Sequence, residues 1–179
     1  MKKPPPVQIE GQKTALLVID VQTGLFQEGR PIYHADQLLD SITRLAERAQ
    51  RAGVPVIYNQ HSEPEGLLLG SSAWQLHPRL QPRPADRRVE KTRPNAFEDT
   101  PLGEILRQAD AAHLVLCGLV THGCVKATCR GALERGYQVT LVSDAHSNNS
   151  AQADQLIEKW NRQLNKLGAE LKTAAEVTF

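Results

Sequence analysis

The strongest constraint on the fold of this chain is a regular alternation of short apolar runs with longer segments of helical spacing. TALLVIDV (14–21) is a continuous apolar run that ends in polar residues, which is typical of a strand buried on both faces of a sheet. Segment 35–53 follows it, with apolar residues at helical spacing and Gly53 as a stop signal. The same signals predict further strands at 54–60, 87–91, 113–120, 137–145 and 169–173, and further helices at 100–110, 123–136 and 151–168.

This βαβ rhythm predicts an α/β fold in which a doubly wound, parallel sheet is covered by helices on both faces. In such sheets, ligands bind outside the carboxyl ends of the strands, near the point where the strand order reverses. The residues that follow the strands are therefore the candidates for chemistry. No GxGxxG motif follows the first strand and no GxxxxGK[ST] motif occurs, which disfavours a dinucleotide or P-loop nucleotide site.

Length and composition narrow the class of protein further. The 179 residues predict one domain over 12–179, preceded by a flexible tail over 1–11 whose run of three prolines favours an extended conformation. The formal net charge of +1 gives no reason to expect a nucleic acid or a membrane surface as partner. The start of the chain lacks the apolar segment of a signal peptide, and the apolar runs are strand-sized, so we expect a cytoplasmic protein.

The three cysteines, Cys117, Cys124 and Cys129, lie close together in the sequence. An odd number in one cluster does not resemble a secreted disulfide framework, and it indicates a reduced protein in which one thiol has a function. A redox pair of Cys124 and Cys129 is disfavoured, because the two are five residues apart on one predicted helix and do not form a CxxC motif.

Three side chains at predicted strand ends could act together. Asp20 ends the first strand, Lys91 ends the third, and Cys124 lies at the start of the helix after the fourth. A helix N-terminus and a nearby ammonium group both lower the pKa of a thiol, and a carboxylate beside them could accept the thiol proton. The alternatives are ordinary ones: an inert packed cysteine, an aspartate that caps a loop, and a solvated lysine.

Three segments, in order and with similar spacing, resemble the isochorismatase-like cysteine hydrolases. TALLVIDVQTGLF (14–26) resembles the opening block of that family, and VEKTRPNAFEDTPLGEIL (89–106) resembles its second block. LCGLVTHGCVKATCRGALERGYQVTLVSDA (116–145) resembles the third block. The likeness extends over about residues 12–177, nearly the whole chain.

The resemblance implies a Rossmann-like, doubly wound, three-layer sandwich with a six-stranded, mainly parallel sheet of order 3-2-1-4-5-6. It implies hydrolysis of the C–N bond of a small amide, ureide or lactam through a thioester, without a cofactor. Cys124 would be the nucleophile, Asp20 the base and Lys91 the cation. Some members hydrolyse a vinyl ether instead, and this activity stays open here, as does a non-catalytic binding role on the same fold.

The resemblance also implies an oxyanion hole next to the nucleophile. In amidohydrolase members a non-proline cis peptide precedes the catalytic cysteine, and the corresponding bond here is Leu119–Val120. A cis bond there would turn the Val120 N–H toward the substrate, where it would act together with the N–H of Cys124.

The expected site contains no metal. Nicotinamidases of this family carry an Asp-x-His pair after the second strand and a further histidine downstream, whereas the corresponding stretch here, 59–64, offers His61 alone. A two-histidine, one-carboxylate site therefore lacks its local spacing. Convergence of His61, Glu63 and His77 in space is the alternative that would restore one.

The pocket around these residues is less constrained by sequence. Our candidates for substrate binding are Phe26, His61, Trp74, Phe97 and His122, each with ordinary packing or solvation as its alternative. Trp74 lies in an insert over 66–80 that could form a lid or a subunit contact. The resemblance implies a homodimer or a homotetramer, in which neighbouring subunits could complete the pocket around a small-molecule substrate.

Overall fold

The computed structural model describes residues 13–26 and 29–179, so the predicted tail over 1–11 lies outside the described residues. The strands are β1 (Lys13–Ile19), β2 (Val56–His61), β3 (Arg87–Lys91), β4 (Ala111–Leu119), β5 (Gln138–Ser147) and β6 (Glu170–Lys172). The α-helices are α1 (Ala35–Arg51), α2 (Leu102–Gln108), α3 (Lys126–Glu134) and α4 (Ala153–Leu167). A short 3₁₀ turn covers Thr23–Leu25, and a π-helical turn covers Thr121–Val125.

All six strands pair in parallel, in the order β3-β2-β1-β4-β5-β6, which confirms the predicted topology. The central strand β1 is buried from Ala15 to Ile19, and its side chains alternate between two apolar cores. One core packs against α1, and the other packs against α2, α3 and α4. The chain therefore forms the expected three layers, and the continuous apolar run of β1 follows from burial on both faces.

The backbones of β4 and β1 approach each other closely near the carboxyl ends of the two strands. Gly118 has φ of 121°, and a Cβ atom placed there would lie 2.1 Å from the carbonyl oxygen of Ile19. Glycine alone permits this approach, because any side chain would meet the backbone of β1. The end of β4 is thereby brought against the end of β1, immediately before Asp20.

Strand β5 is longer than the sequence pattern predicts. Its pairing with β4 is interrupted by a bulge between Leu116 and Gly118, after which Gly118 pairs with His146 and Leu119 pairs with Ser147. The predicted end at residue 145 is therefore wrong by two residues. His146 and Ser147 are polar and read as a loop, yet both are buried because the bulge lets the ladder continue.

The helix after β4 also begins later than predicted. Thr121–Val125 forms a separate π-helical turn, in which Gly123 has the non-helical angles φ −109° and ψ −111°. Regular α-helix starts only at Lys126. Cys124 consequently lies in the turn that precedes α3, and its predicted position in the first turn of a regular helix is corrected. None of the helices in the described part of the chain is long and apolar enough to cross a membrane.

Candidate active site

The parallel sheet brings Asp20, Lys91 and Cys124 to one place at its carboxyl edge. Nζ of Lys91 lies 2.8 Å from Oδ2 of Asp20, and both side chains are almost fully buried. A carboxylate oxygen of Asp20, a ring nitrogen of His61 and Sγ of Cys124 all lie within 4.8 Å of one another. Residues that are far apart in the sequence thus form one compact polar cluster, as the strand-end argument predicts.

The backbone of Asp20 adopts a conformation that holds its carboxyl group in this cluster. Asp20 has a left-handed φ of 50°, and its N–H donates to the carbonyl oxygen of Asn59 at 2.9 Å. Left-handed non-glycine residues are uncommon and cluster at functional sites, where the surrounding structure maintains them. Here the neighbouring strand β2 supplies that support.

The ammonium group of Lys91 has three acceptors, one for each of its protons. These are Oδ2 of Asp20 at 2.8 Å, Nδ1 of His61 at 3.2 Å and the carbonyl oxygen of Arg93 at 3.2 Å. Because an ammonium group can only donate, Nδ1 of His61 must accept, and Nε2 carries the ring proton. Burial and the charge of Lys91 also lower the pKa of His61. The imidazole is therefore neutral.

The protonation of the cluster differs from the sequence-based prediction. Burial and the neighbouring Asp20 carboxylate raise the pKa of Cys124 to about 12, and Lys91 opposes this only in part. The predicted lowering of the thiol pKa is therefore wrong, since Cys124 lies beside a carboxylate in a poorly solvated turn. Burial also raises the pKa of Asp20, against the opposing effect of Lys91. At rest, a neutral thiol lies beside a carboxylate–ammonium pair.

Metal binding at this cluster is opposed by charge. In the described ranges, the group of side chains that could hold a metal ion is Asp20, His61 and Cys124, and it does not include Glu63 or His77. The Lys91 ammonium lies 2.8 Å from one of these ligand residues and 3.2 Å from another. A cation placed among them would be repelled by that positive charge at close range.

The turn that carries Cys124 is hydrogen-bonded to Val120, the residue just before the turn. The peptide bond between Leu119 and Val120 is cis. The N–H groups of Gly123 and Val125 donate to the carbonyl oxygen of Val120 at 3.0 and 3.3 Å. The segment from Val120 to Val125 is thus folded back on itself beside Asp20. The role of the Val120 and Cys124 amides as an oxyanion hole stays a prediction.

The loop that follows Lys91 is held against α3. The N–H of Ala96 donates to Oγ1 of Thr128 at 3.0 Å, and a Cβ atom on Gly131 would lie 2.5 Å from Oδ1 of Asn95. This loop carries Phe97, whose ring stacks on Tyr137 with centroids 5.7 Å apart. Phe97 also belongs to the apolar core against which Cys124 packs, and the guanidinium group of Arg135 lies 4.8 Å from the centroid of its ring.

Gln22 joins the site to the insert over 66–80. Its side-chain amide donates to the carbonyl oxygens of His61 and Trp74, each at 2.9 Å, and accepts from the N–H of His61 at 2.8 Å. Gln60 donates to the same Trp74 carbonyl at 3.0 Å. Trp74 is thereby fixed by its backbone against the strand ends, and its side chain is buried at 8% exposure.

The remaining pocket candidates lie at the edge of the site. The ring of Phe26 is partly buried, with its centroid 4.6 Å from that of His77, and His122 is exposed in the turn of Cys124. Of the five predicted binding residues, the structure brings His61 into direct contact with the catalytic candidates. The rings of Phe26 and Phe97 contact His77 and Tyr137, and Trp74 is buried.

Four residues that build the site are not among the predicted catalytic and binding residues. They share one property, which is that they are polar and buried next to a strand or turn of the site: Gln22, Thr121, Thr128 and His146. A polar residue directly after a buried strand is the only signal for them in the sequence, and Gln22 and His146 carry it. Their partners come from distant segments, which the local pattern does not reveal.

Comparison with known proteins identifies the family of the chain. The sequence model of the isochorismatase domain matches residues 14–176. The chain belongs to the isochorismatase family. Among solved structures, this family member is similar to an isochorismatase from Pseudomonas putida KT2440, with a TM-score of 0.85 and 28% identity, over 92% of this chain and 89% of the other.

Some of the similar proteins in the isochorismatase family have names that state a substrate. A streptothricin hydrolase of Streptomyces noursei is 38% identical over 135 residues, which cover 74% of this chain and 54% of the relative. A ureidoacrylate amidohydrolase of Caulobacter segnis is 29% identical over an alignment of 181 positions, which covers 80% of this chain and 76% of the relative. This chain spans about half the length of the streptothricin hydrolases that it matches.

Proposed function

We propose that this isochorismatase-family chain hydrolyses a C–N bond of a small amide, ureide or lactam, with Cys124 as nucleophile. The observation that carries the proposal is the buried Asp20–Lys91 ion pair beside the Cys124 thiol. A nucleophile with a base and a cation close beside it is what covalent hydrolysis of an amide requires. Two of the similar proteins, by their names, are a hydrolase of streptothricin and an amidohydrolase of ureidoacrylate.

The first step forms the S–C bond of a tetrahedral intermediate. Because the thiol is protonated at rest, Asp20 accepts the Cys124 proton as sulfur attacks the substrate carbonyl carbon. A carboxyl group whose pKa is raised by burial is a stronger base than an ordinary aspartate, which suits this transfer. Lys91 keeps the site electrically balanced, since its ammonium group stays bonded to Asp20. The amides of Val120 and Cys124 would donate to the oxyanion, each contributing about 3 kcal/mol.

The second half of the reaction regenerates the enzyme. Asp20 passes its proton to the leaving nitrogen, and the C–N bond of the tetrahedral intermediate breaks. Ammonia or an amine departs, and the acyl group stays on Cys124 as a thioester. Asp20, again a carboxylate, then accepts a proton from a water that attacks the thioester carbonyl. The acid product leaves, and the proton returns from Asp20 to the sulfur.

A screen for the substrate tests this proposal. The purified chain is incubated with a panel of small amides, ureides and lactams, with release of ammonia or amine as the readout, and with a vinyl-ether substrate in parallel. We expect turnover of at least one C–N substrate, and we expect EDTA to leave that turnover unchanged. Turnover of the vinyl ether alone would instead support ether hydrolysis, and binding without turnover would support a non-catalytic role.

We also propose that the chain acts in the cytoplasm as a homodimer or a homotetramer. The resemblance of its sequence blocks to the family supports the assembly, and the three cysteines, which do not resemble a secreted disulfide framework, support the location. Light scattering coupled to size-exclusion chromatography measures the mass of the assembly, and a mass of one chain at micromolar concentration would contradict the proposal.

A further inference from the structure

A chain of three hydrogen-bonded side chains begins in the turn that carries Cys124. Oγ1 of Thr121 lies 2.9 Å from Nδ1 of His146, and Nε2 of His146 lies 2.8 Å from Oδ1 of Asn161. Thr121 and His146 are 1% and 2% exposed. The three residues come from the π-helical turn, from the carboxyl end of β5 and from α4. A buried polar chain that joins three elements is costly unless every member is satisfied.

The partners of Asn161 determine the direction of every hydrogen bond in the chain. Nδ2 of Asn161 donates to the carbonyl oxygen of Ser143 at 3.2 Å, so Oδ1 is the atom that faces His146. Oδ1 must accept, and Nε2 of His146 therefore carries the ring proton. A neutral imidazole has one N–H, so Nδ1 accepts and the Thr121 hydroxyl donates. Burial lowers the pKa of His146 and keeps the ring neutral.

The anchored residue lies between the two proposed oxyanion donors. Thr121 directly follows Val120 and lies three residues before Cys124. The hydrogen bonds from Gly123 and Val125 to Val120 hold the turn to itself, and they do not orient it relative to the sheet. The Thr121 side chain makes that external connection, because His146 belongs to β5 and pairs with Gly118 of β4.

We propose that His146, oriented by Asn161, is a positioning residue that fixes the Thr121–Val125 turn through the hydroxyl group of Thr121. This inference rests on the proposed function. His146 acts through the turn and does not touch the substrate. Its effect is to hold the Val120 and Cys124 amides and the Cys124 sulfur where the substrate carbonyl is attacked. Positioning of this kind acts on the transition state, so its loss lowers kcat more than it changes KM.

Two substitutions at Thr121 separate the hydroxyl group from the shape of the side chain. Thr121→Val keeps the shape and removes the donor, whereas Thr121→Ser keeps the donor. We expect kcat of Thr121→Val to fall about 10- to 100-fold with KM within about threefold, and Thr121→Ser to stay within about threefold of the unmodified chain. Asn161→Leu, which frees the Nε2 proton of His146, should resemble Thr121→Val.

A matched control is available at the other end of the same strands. Thr140 is 1% exposed and its Oγ1 lies 2.8 Å from Nε2 of His113, which also contacts Thr14 at 3.1 Å. Thr140→Val therefore removes a buried threonine–histidine hydrogen bond far from Cys124, together with the bond that Oγ1 donates to Glu170 at 3.1 Å. It should lower the melting temperature without changing kcat, which distinguishes a positioning effect from a loss of stability.

The outcomes for this inference and for the proposed function are separable. If Cys124→Ala abolishes hydrolysis while Thr121→Val keeps kcat within about threefold, the positioning role is overturned and the proposed function stands. If Cys124→Ala stays fully active, the proposed function fails, and site-specific alkylation of Cys124 by iodoacetamide tests the turn instead. A released turn should expose the thiol and speed alkylation by about threefold or more in Thr121→Val but not in Thr121→Ser, and equal rates would overturn the inference.

Discussion

The carboxylate of Asp20 sets the chemistry of Cys124 in two opposite ways. Together with burial, it raises the pKa of the thiol and so keeps sulfur protonated at rest, and in the proposed reaction it is also the group that removes the proton when a carbonyl arrives. The Lys91 ammonium balances the carboxylate, and it also contacts His61 and the carbonyl oxygen of Arg93. In the proposed reaction, the nucleophilicity of Cys124 therefore depends on transfer of a proton within the cluster.

Replacing Asp20 with asparagine should make the thiol easier to ionise and the enzyme inactive. The substitution removes the negative charge that raises the pKa of Cys124 and leaves the Lys91 ammonium, which lowers it. The pH midpoint for iodoacetamide alkylation of Cys124, measured by mass spectrometry, should fall in Asp20→Asn. A midpoint that stays equal or rises would show that the carboxylate does not control the thiol.

Replacing Lys91 with methionine should act in the opposite direction. Asp20 would remain buried without its counter-ion, so its pKa would rise further and alkylation of Cys124 would need higher pH. Breaking a buried ion pair in this way should lower the free energy of unfolding by about 3–5 kcal/mol, as measured by urea denaturation. The double variant Asp20→Asn, Lys91→Met should recover part of that loss, and no recovery would argue against the pair.

The sequence was sufficient to predict which three residues meet, and insufficient to predict their protonation. Asp20, Lys91 and Cys124 follow strands, and parallel strands end at one edge, so their proximity follows from topology. The pKa of Cys124 depends on how deeply the turn is buried and on where the Asp20 charge lies. Both are results of packing between distant segments. The same reason explains why the hydrogen bond between Thr121 and His146 was not anticipated.

At the scale of elements, the junction of β4 with β1 determines where the site forms. Gly118 lets the two strands approach so closely that the cis peptide and the Cys124 turn emerge beside Asp20. The elements themselves could be predicted from apolar periodicity. The extension of β5 to Ser147 and the late start of α3 could not, because a bulge in strand pairing and a π-helical turn depend on contacts across the sheet.

Gly118→Ala should disturb this junction more than an ordinary glycine substitution does. The added methyl group would lie 2.1 Å from the carbonyl oxygen of Ile19, so the strands must separate. Gly53→Ala is the control, since Gly53 also has positive φ, of 71°, but has open space around its Cβ position. Gly118→Ala should cost at least about 2 kcal/mol more than Gly53→Ala in urea denaturation. Equal costs would mean that the close approach is dispensable.

At the scale of the whole molecule, buried neutral histidines couple stability to pH. In the described part of the chain, burial lowers the pKa of four histidines: His61, His77, His113 and His146. The most deeply buried of them is His146. A histidine that ionises less readily when folded binds protons preferentially in the unfolded chain. Its contribution to stability is full above the unfolded pKa of about 6.5 and is lost as pH falls below it.

The free energy of unfolding should therefore decrease between pH 7 and pH 5. His146 alone contributes a slope of at most about 1.4 kcal/mol per pH unit. The slope should be shallower in His146→Gln, which cannot become charged, and a comparison of urea denaturation at the two pH values measures it. Parallel slopes in the two proteins would contradict the neutral, buried state of His146.

The account as a whole depends on Cys124 as the nucleophile, and the kcat of Cys124→Ala on the C–N substrate found in the screen tests it most directly. Cys129→Ala is the matched control, because Cys129 is fully buried in α3 and belongs to the apolar core. We predict that Cys124→Ala loses at least about a thousandfold in kcat while Cys129→Ala keeps its activity. Full activity of Cys124→Ala would contradict the proposed mechanism.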